Sequence, residues 1–192
     1  MTLKRLLPVL IVSSALILAA CGSDDSDSPD PAATTTAAPA GCPTVAPAQN
    51  VAPDWTLTGA TGSIEVTGPT DTTAPEVKVT TPFAVGQTQV QTLREGTGEV
   101  VPETARVAVC YMGVNGRDGT VFDSSYERGK PADFPLDAVI PGFQKAIAGQ
   151  RVGSTVAVAM APADGYASGN PQAGIEAGDS LVFALEIRSA QS

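Results

Sequence analysis

The stretch PGFQKAIAG, Pro141 to Gly149, decides how the surrounding chain is read. Pro141 suits a first helical turn, where its missing N–H is no loss. Phe143 and Ile147 stand four residues apart and share one helical face. Gly149 can end the helix. The pattern predicts one short helix with an aromatic ring on its apolar side, and no other segment of the domain reads as a helix.

The flanking segments alternate with period two. Val107, Val109 and Tyr111 alternate with Ala108, Cys110 and Met112. Val156, Val158 and Met160 alternate with alanines, and Leu181, Phe183, Leu185 and Ile187 share one face of a last strand. Such alternation predicts antiparallel strands with one buried face. Asn115-Gly116 and Asp118-Gly119 are turn residues, so the strands that end near Tyr111 and Phe122 should be neighbours. The expected fold class is α+β, a twisted antiparallel half-barrel sheet wrapped around one short helix.

Between sheet and helix lies VFDSSYERGKP, Val121 to Pro131. It sets two apolar residues directly against Asp123. A plain surface loop does not need Phe122, and a plain core strand has no room for the carboxylate. An aromatic wall beside a charged rim suits a binding pocket.

Composition narrows the chemistry. The 192-residue chain has no His, which excludes His-based triads, imidazole proton shuttles and His metal sites. Its formal charge is −9, with no basic cluster beyond the first residues, so nucleic acid is not an expected partner. No glycine-rich nucleotide loop is present. The Asp24, Asp25, Asp27 and Asp30 run reads as a solvated spacer, and neither a metal site nor a cofactor is expected.

The N-terminus, MTLKRLLPVLIVSSALILAACGSDD, has Lys4 and Arg5 followed by an apolar run from Leu6 to Ala20. The run is short for a membrane span of about 20 residues and has the layout of a secretory signal. Its end, Leu18-Ala19-Ala20-Cys21, resembles a bacterial lipobox, which implies cleavage before Cys21 and lipidation of that thiol. Removal of residues 1–20 takes away two basic residues and no acidic one, so the formal charge deepens from −9 to −11. Acyl chains, at about 0.8 kcal/mol per buried CH₂, would then hold the protein at the membrane. The expected location is extracytoplasmic, lipid-anchored to the bacterial cell membrane. Residues 21–53, rich in Ala, Pro, Thr and Asp, read as a disordered tether. Residues 54–86 read as a β-type extension laying one or two strands against the main domain, residues 87–190. Cys42 and Cys110 are a possible disulfide pair outside the cytoplasm; Cys110 as an ordinary apolar residue of the outer face is the other reading.

Several motifs then fall into line: Tyr111-Met112-Gly113, Val121-Phe122-Asp123-Ser124-Ser125, Arg128, Lys130-Pro131, Val139-Ile140-Pro141-Gly142-Phe143, Ala161 to Tyr166, and Leu181-Val182-Phe183. In order and spacing they resemble FKBP-type peptidyl-prolyl isomerases from about Leu93 to Ile187. The resemblance implies an apolar cup for a substrate proline, built from Tyr111, Phe122, Val139, Ile140, Phe143, Tyr166, Ile175 and Phe183. Phe143 would be its floor. Ile140 would offer its backbone N–H and Tyr166 its hydroxyl to ligand carbonyls. Asp123 would stand at the rim, bonded to Tyr111 and Arg128. The implied partners are proline-containing polypeptides and macrolide inhibitors, with the chain acting as a monomer.

The chain also departs from that pattern. Phe143 stands where many members carry Trp, and Ala132 where an aromatic ring is common. A low-turnover binding module for proline-containing segments is therefore the alternative to an active isomerase.

Overall fold

A computed structural model describes residues 41–191, so the signal region, Cys21 and the tether up to residue 40 lie outside the described residues. Among the described residues, nine strands and two α-helices follow in chain order. They are β1 (Trp55–Thr58), β2 (Thr61–Thr67), β3 (Glu76–Ala84), β4 (Gln89–Arg94), β5 (Arg106–Asn115), β6 (Val121–Ser124), α1 (Ser125–Arg128), β7 (Ala132–Pro135), α2 (Pro141–Ile147), β8 (Thr155–Met160) and β9 (Leu181–Gln191).

The principal sheet is antiparallel, in the order β4-β8-β9-β5-β6, with β7 also paired to β5. The predicted hairpin is present: Met112 faces Ser124 and Gly113 faces Asp123. The predicted helix is α2, with Pro141 in its first turn and Gly149 at a φ of +78° just beyond its end. Phe143, Ala146 and Ile147 press into the inner face of the sheet, against Val107, Val109, Val158, Leu185 and Ile187. This is the half-barrel around one helix that the patterning implied.

The outer face differs from expectation. One buried face was predicted, yet all six residues of β8 are buried. The reason is the segment before the domain. It forms a separate three-stranded antiparallel sheet, β1-β2-β3, rather than one or two added strands. Ile64, Val66 and Phe83 of that sheet cover Ala157, Ala159, Val182 and Ala184 on the outside of the principal one. The small alanines give the second sheet a shallow surface to pack on. Fully burying a side chain such as Ile64 or Phe83 contributes about 1.5–3 kcal/mol.

Upstream of β1 the chain is tied down at several points. Cys42 and Cys110 are joined by a disulfide, with Cα atoms 5.6 Å apart. The Cys42 N–H donates to the Gly129 carbonyl at 3.2 Å, and the Ala74 N–H donates to the Val45 carbonyl at 2.7 Å. The chain is thus held against the domain from Cys42 onward, inside the stretch expected to be tether. With Ala74 and Tyr126 the two cysteines form a small apolar cluster.

Candidate active site

The site is assembled by local capping. Ser124 is the N-cap of α1, its hydroxyl accepting from the Glu127 N–H, and Gly129 closes the helix in the left-handed region at φ 66°. Ser125 is fully buried, and its hydroxyl accepts from the Tyr111 N–H at 2.8 Å. Along that edge of β5, β7 pairs with Arg106 to Val109 and β6 with Met112 to Val114. Ser125 supplies the partner in the gap. The two serines after Asp123 therefore have separate jobs, one capping the helix and one docking it on the strand.

That docking places three side chains in a network. The Tyr111 hydroxyl donates to the Asp123 carboxylate. One Arg128 nitrogen donates to the other carboxylate oxygen at 2.5 Å, and a second donates to the Tyr111 hydroxyl at 3.3 Å. Burial works against ionisation of Asp123, but the hydrogen bonds from Tyr111 and Arg128 prevail and hold its carboxyl below the usual range. Burial, reinforced by the bond to Asp123, pushes the Tyr111 hydroxyl up to about 12. Tyr111 therefore stays a neutral donor and Asp123 a charged acceptor.

Next to the network opens a cavity of about 400 Å³. Phe143, buried on α2, lines it and meets three rings edge-on: Phe183 at 5.4 Å, Tyr111 at 5.7 Å and Phe134 at 5.8 Å between centroids. Phe122 stands edge-on to Phe183 at 5.6 Å. Such T-shaped contacts are favourable and fix ring orientation. Gly113 permits this crowding: a Cβ there would lie 2.6 Å from the Phe122 ring and 2.8 Å from that of Phe183. Asp123, Ala138, Val139, Ile140 and Tyr166 also line the cavity. Ile140 is the N-cap of α2, and its N–H precedes the helix's own bonding pattern.

Of the residues named from the sequence, Tyr111, Phe122, Asp123, Val139, Ile140, Phe143, Tyr166 and Phe183 come together at this cavity. Arg128 stands outside it and acts on Asp123 and Tyr111. Ile175 is buried in the inner core and borders a separate depression with Ser168 and Glu176. Phe134 lines the cavity but was not singled out. It shares one face of the four-residue β7 with Ala132 and supplies an aromatic wall beside the position where Ala132 leaves room. Among the described residues no cluster of His, Cys, Asp or Glu could hold a metal ion.

The arrangement, an antiparallel half-barrel with an aromatic cup above a single helix, defines a class of pocket suited to one compact apolar ring. Comparison with known proteins agrees. Residues 98–188 match the family profile described as FKBP-type peptidyl-prolyl cis-trans isomerase. The chain is 35% identical over 101 residues to FK506-binding protein 1 of Dictyostelium discoideum, covering 52% of this chain and 94% of that one. It is 38% identical over 99 residues to the FKBP-type 22 kDa peptidyl-prolyl cis-trans isomerase of Escherichia coli, covering 52% of this chain but only 48% of that protein. A peptidyl-prolyl cis-trans isomerase of Pseudomonas syringae is similar in structure, with a TM-score of 0.50 and 29% identity over 55% of this chain and 76% of that one. The chain belongs to the FKBP-type peptidyl-prolyl cis-trans isomerase family.

Proposed function

We propose that the chain catalyses cis-trans isomerisation of Xaa-Pro bonds in exported proteins, working outside the cytoplasm from a lipid anchor at Cys21. One observation carries the catalytic part of this reading: the aromatic cup holds one ionised group, Asp123, whose charge is already met by Tyr111 and Arg128.

An Xaa-Pro amide resists rotation because of resonance, and a peptide-bond barrier is about 18–20 kcal/mol. The twisted transition state loses that resonance, and its carbonyl oxygen is less negative. Water favours the polar planar form. A cup of rings takes away that advantage, and fit to the twisted form adds to the effect. A thousandfold acceleration requires only about 4 kcal/mol. On this reading the Ile140 N–H and the Tyr166 hydroxyl, both from residues that line the cavity, hold the flanking carbonyls while the bond turns. No nucleophile or proton transfer is called for, in keeping with a chain that lacks His.

The test is catalysed cis-to-trans conversion of short Xaa-Pro peptides by the purified chain. Folded protein without turnover on several such peptides would leave the binding module as the better reading. The anchor has its own test. Cys21→Ala should release the protein from membrane fractions or leave an uncleaved precursor, and a variant that is processed and fractionates like wild type would exclude lipidation.

A further inference from the structure

Phe122 has two sides. One faces the proline cup; the other borders a second cavity of about 470 Å³ between the β5–β6 turn and the loop before β9. Val121, 40% exposed, and Ala173 give it apolar walls; Asp118, Thr120 and Gln172 give it polar ones. Beyond it, across Gly174, lies the depression that Glu176 borders. A second cavity therefore adjoins the cup, with Phe122 as the wall between them, and forms a groove beside it.

Its electrostatics select an occupant. Arg117 lines the groove, but its donors are already engaged. Nε donates to both Asp179 oxygens at 3.2 and 3.3 Å, and one terminal nitrogen donates to the Gly174 carbonyl at 3.0 Å. The other lies 3.2 Å from Asp118 and 3.8 Å from Glu176. Asp179 is buried and also accepts from the Asn115 side chain at 2.7 Å and the Glu176 N–H at 2.8 Å. One guanidinium thus meets three carboxylates. The surplus negative charge sits on Asp118 and Glu176, whose side chains are 39% and 72% exposed.

We propose that this groove receives the part of a substrate polypeptide that flanks the target proline, and that it favours a basic side chain there. The inference rests on the proline cup of the proposed function. Adjacency across the shared Phe122 wall carries the groove, and the surplus carboxylates choose its occupant. A strand advances about 3.3 Å per residue, so a wall one ring thick puts the basic side chain about two or three residues from the proline.

The experiment compares peptides sharing one Xaa-Pro core that carry Lys or Glu two and three residues away, before or after the proline. The kcat/KM for isomerisation and the Kd by titration calorimetry are measured with the full chain at low and high salt. On one side of the proline, Lys should be preferred about threefold to fivefold at low salt, and the preference should shrink as salt screens it. Asp118→Asn combined with Glu176→Gln should abolish the preference, while the charge-matched control Asp71→Asn with Glu76→Gln should keep it. Equal handling of Lys and Glu on both sides, or a preference that survives the Asp118 and Glu176 changes, would overturn the groove. Absence of turnover on the core peptide would instead count against the isomerase; a Lys preference persisting in the Kd would then still support the groove, and no binding of any peptide would remove both.

Discussion

The Tyr111 amide donates to the Ser125 hydroxyl at 2.8 Å, and that bond ties the strand carrying one site residue to the helix carrying another. The same hydroxyl lies 3.5 Å from Cys42 Sγ, so the back of the site and the disulfide share one buried contact. Ser125→Ala leaves a buried N–H without its partner. Such a loss costs about 1–3 kcal/mol. The urea midpoint should fall accordingly, and turnover should fall further than stability alone explains, because α1 carries Arg128. A variant with wild-type stability and turnover would show that the bond has no positioning role.

The ionisation states at the site make its pH behaviour predictable. Asp123 is held below the usual carboxylate range, so its contribution is complete above an ordinary Asp value of about 3.9 and is lost as pH falls through its depressed value. Tyr111 is raised to about 12 from 10.0; its contribution is complete below about 10 and is lost as pH rises through about 12. With no His in the chain, kcat/KM should be flat from about pH 5 to about pH 9. A bell with a midpoint near neutrality would mean that another titrating group controls the reaction. Asp123→Asn should bring the Tyr111 titration, followed by NMR of labelled tyrosine, back toward 10.

The covering sheet should be integral to stability. Phe83 is 2% exposed between the two sheets, and its N–H donates to the Gly116 carbonyl at 2.8 Å. Phe83→Ala should cost about 3–5 kcal/mol, as large-to-small changes of aromatic core residues do. Denaturation should remain one transition at a lower midpoint. Loss of the Cys42–Cys110 link, which closes a separation of 68 residues, should cost up to about 4 kcal/mol in the chain-entropy account. In the oxidised, unfolded protein neither of these two cysteines should react with a thiol label. Two reactive thiols would rule out the bond.

These features were unequally legible. α2 could be read because Pro141, the Phe143–Ile147 spacing and Gly149 all agree, and the β5–β6 hairpin because its turn residues are explicit. The covered outer face could not. Ala157, Ala159 and Ala184 are compatible with either solvent or a packed sheet, and their burial depends on β1–β3, which lie far away in sequence. Phe134 escaped for a different reason. β7 is four residues long, too short for alternation to stand out, and its place is fixed by pairing with β5. Ile175 was named on position in the family pattern alone; its side chain belongs to the core beside the cup.

Substitutions within the cup should separate its parts. Phe122→Ala removes apolar wall and opens the cup toward the neighbouring groove, so peptide binding and turnover should weaken together. Asp123→Val keeps bulk but removes the acceptor of the Tyr111 and Arg128 bonds. Turnover should fall while the fold survives, because the carboxylate lies at a partly exposed rim rather than in the core. Tyr166→Phe keeps the ring and deletes one hydroxyl. A single hydrogen bond has a net value of about 0.5–1.5 kcal/mol, so the loss should be no more than about tenfold. The measurement is catalysed conversion of a Xaa-Pro peptide, with circular dichroism confirming each fold. If all three variants are folded and turn over like wild type, the catalytic site lies elsewhere on the chain. If Phe122→Ala alone is affected, the cup binds proline but the polar rim takes no part in the rotation.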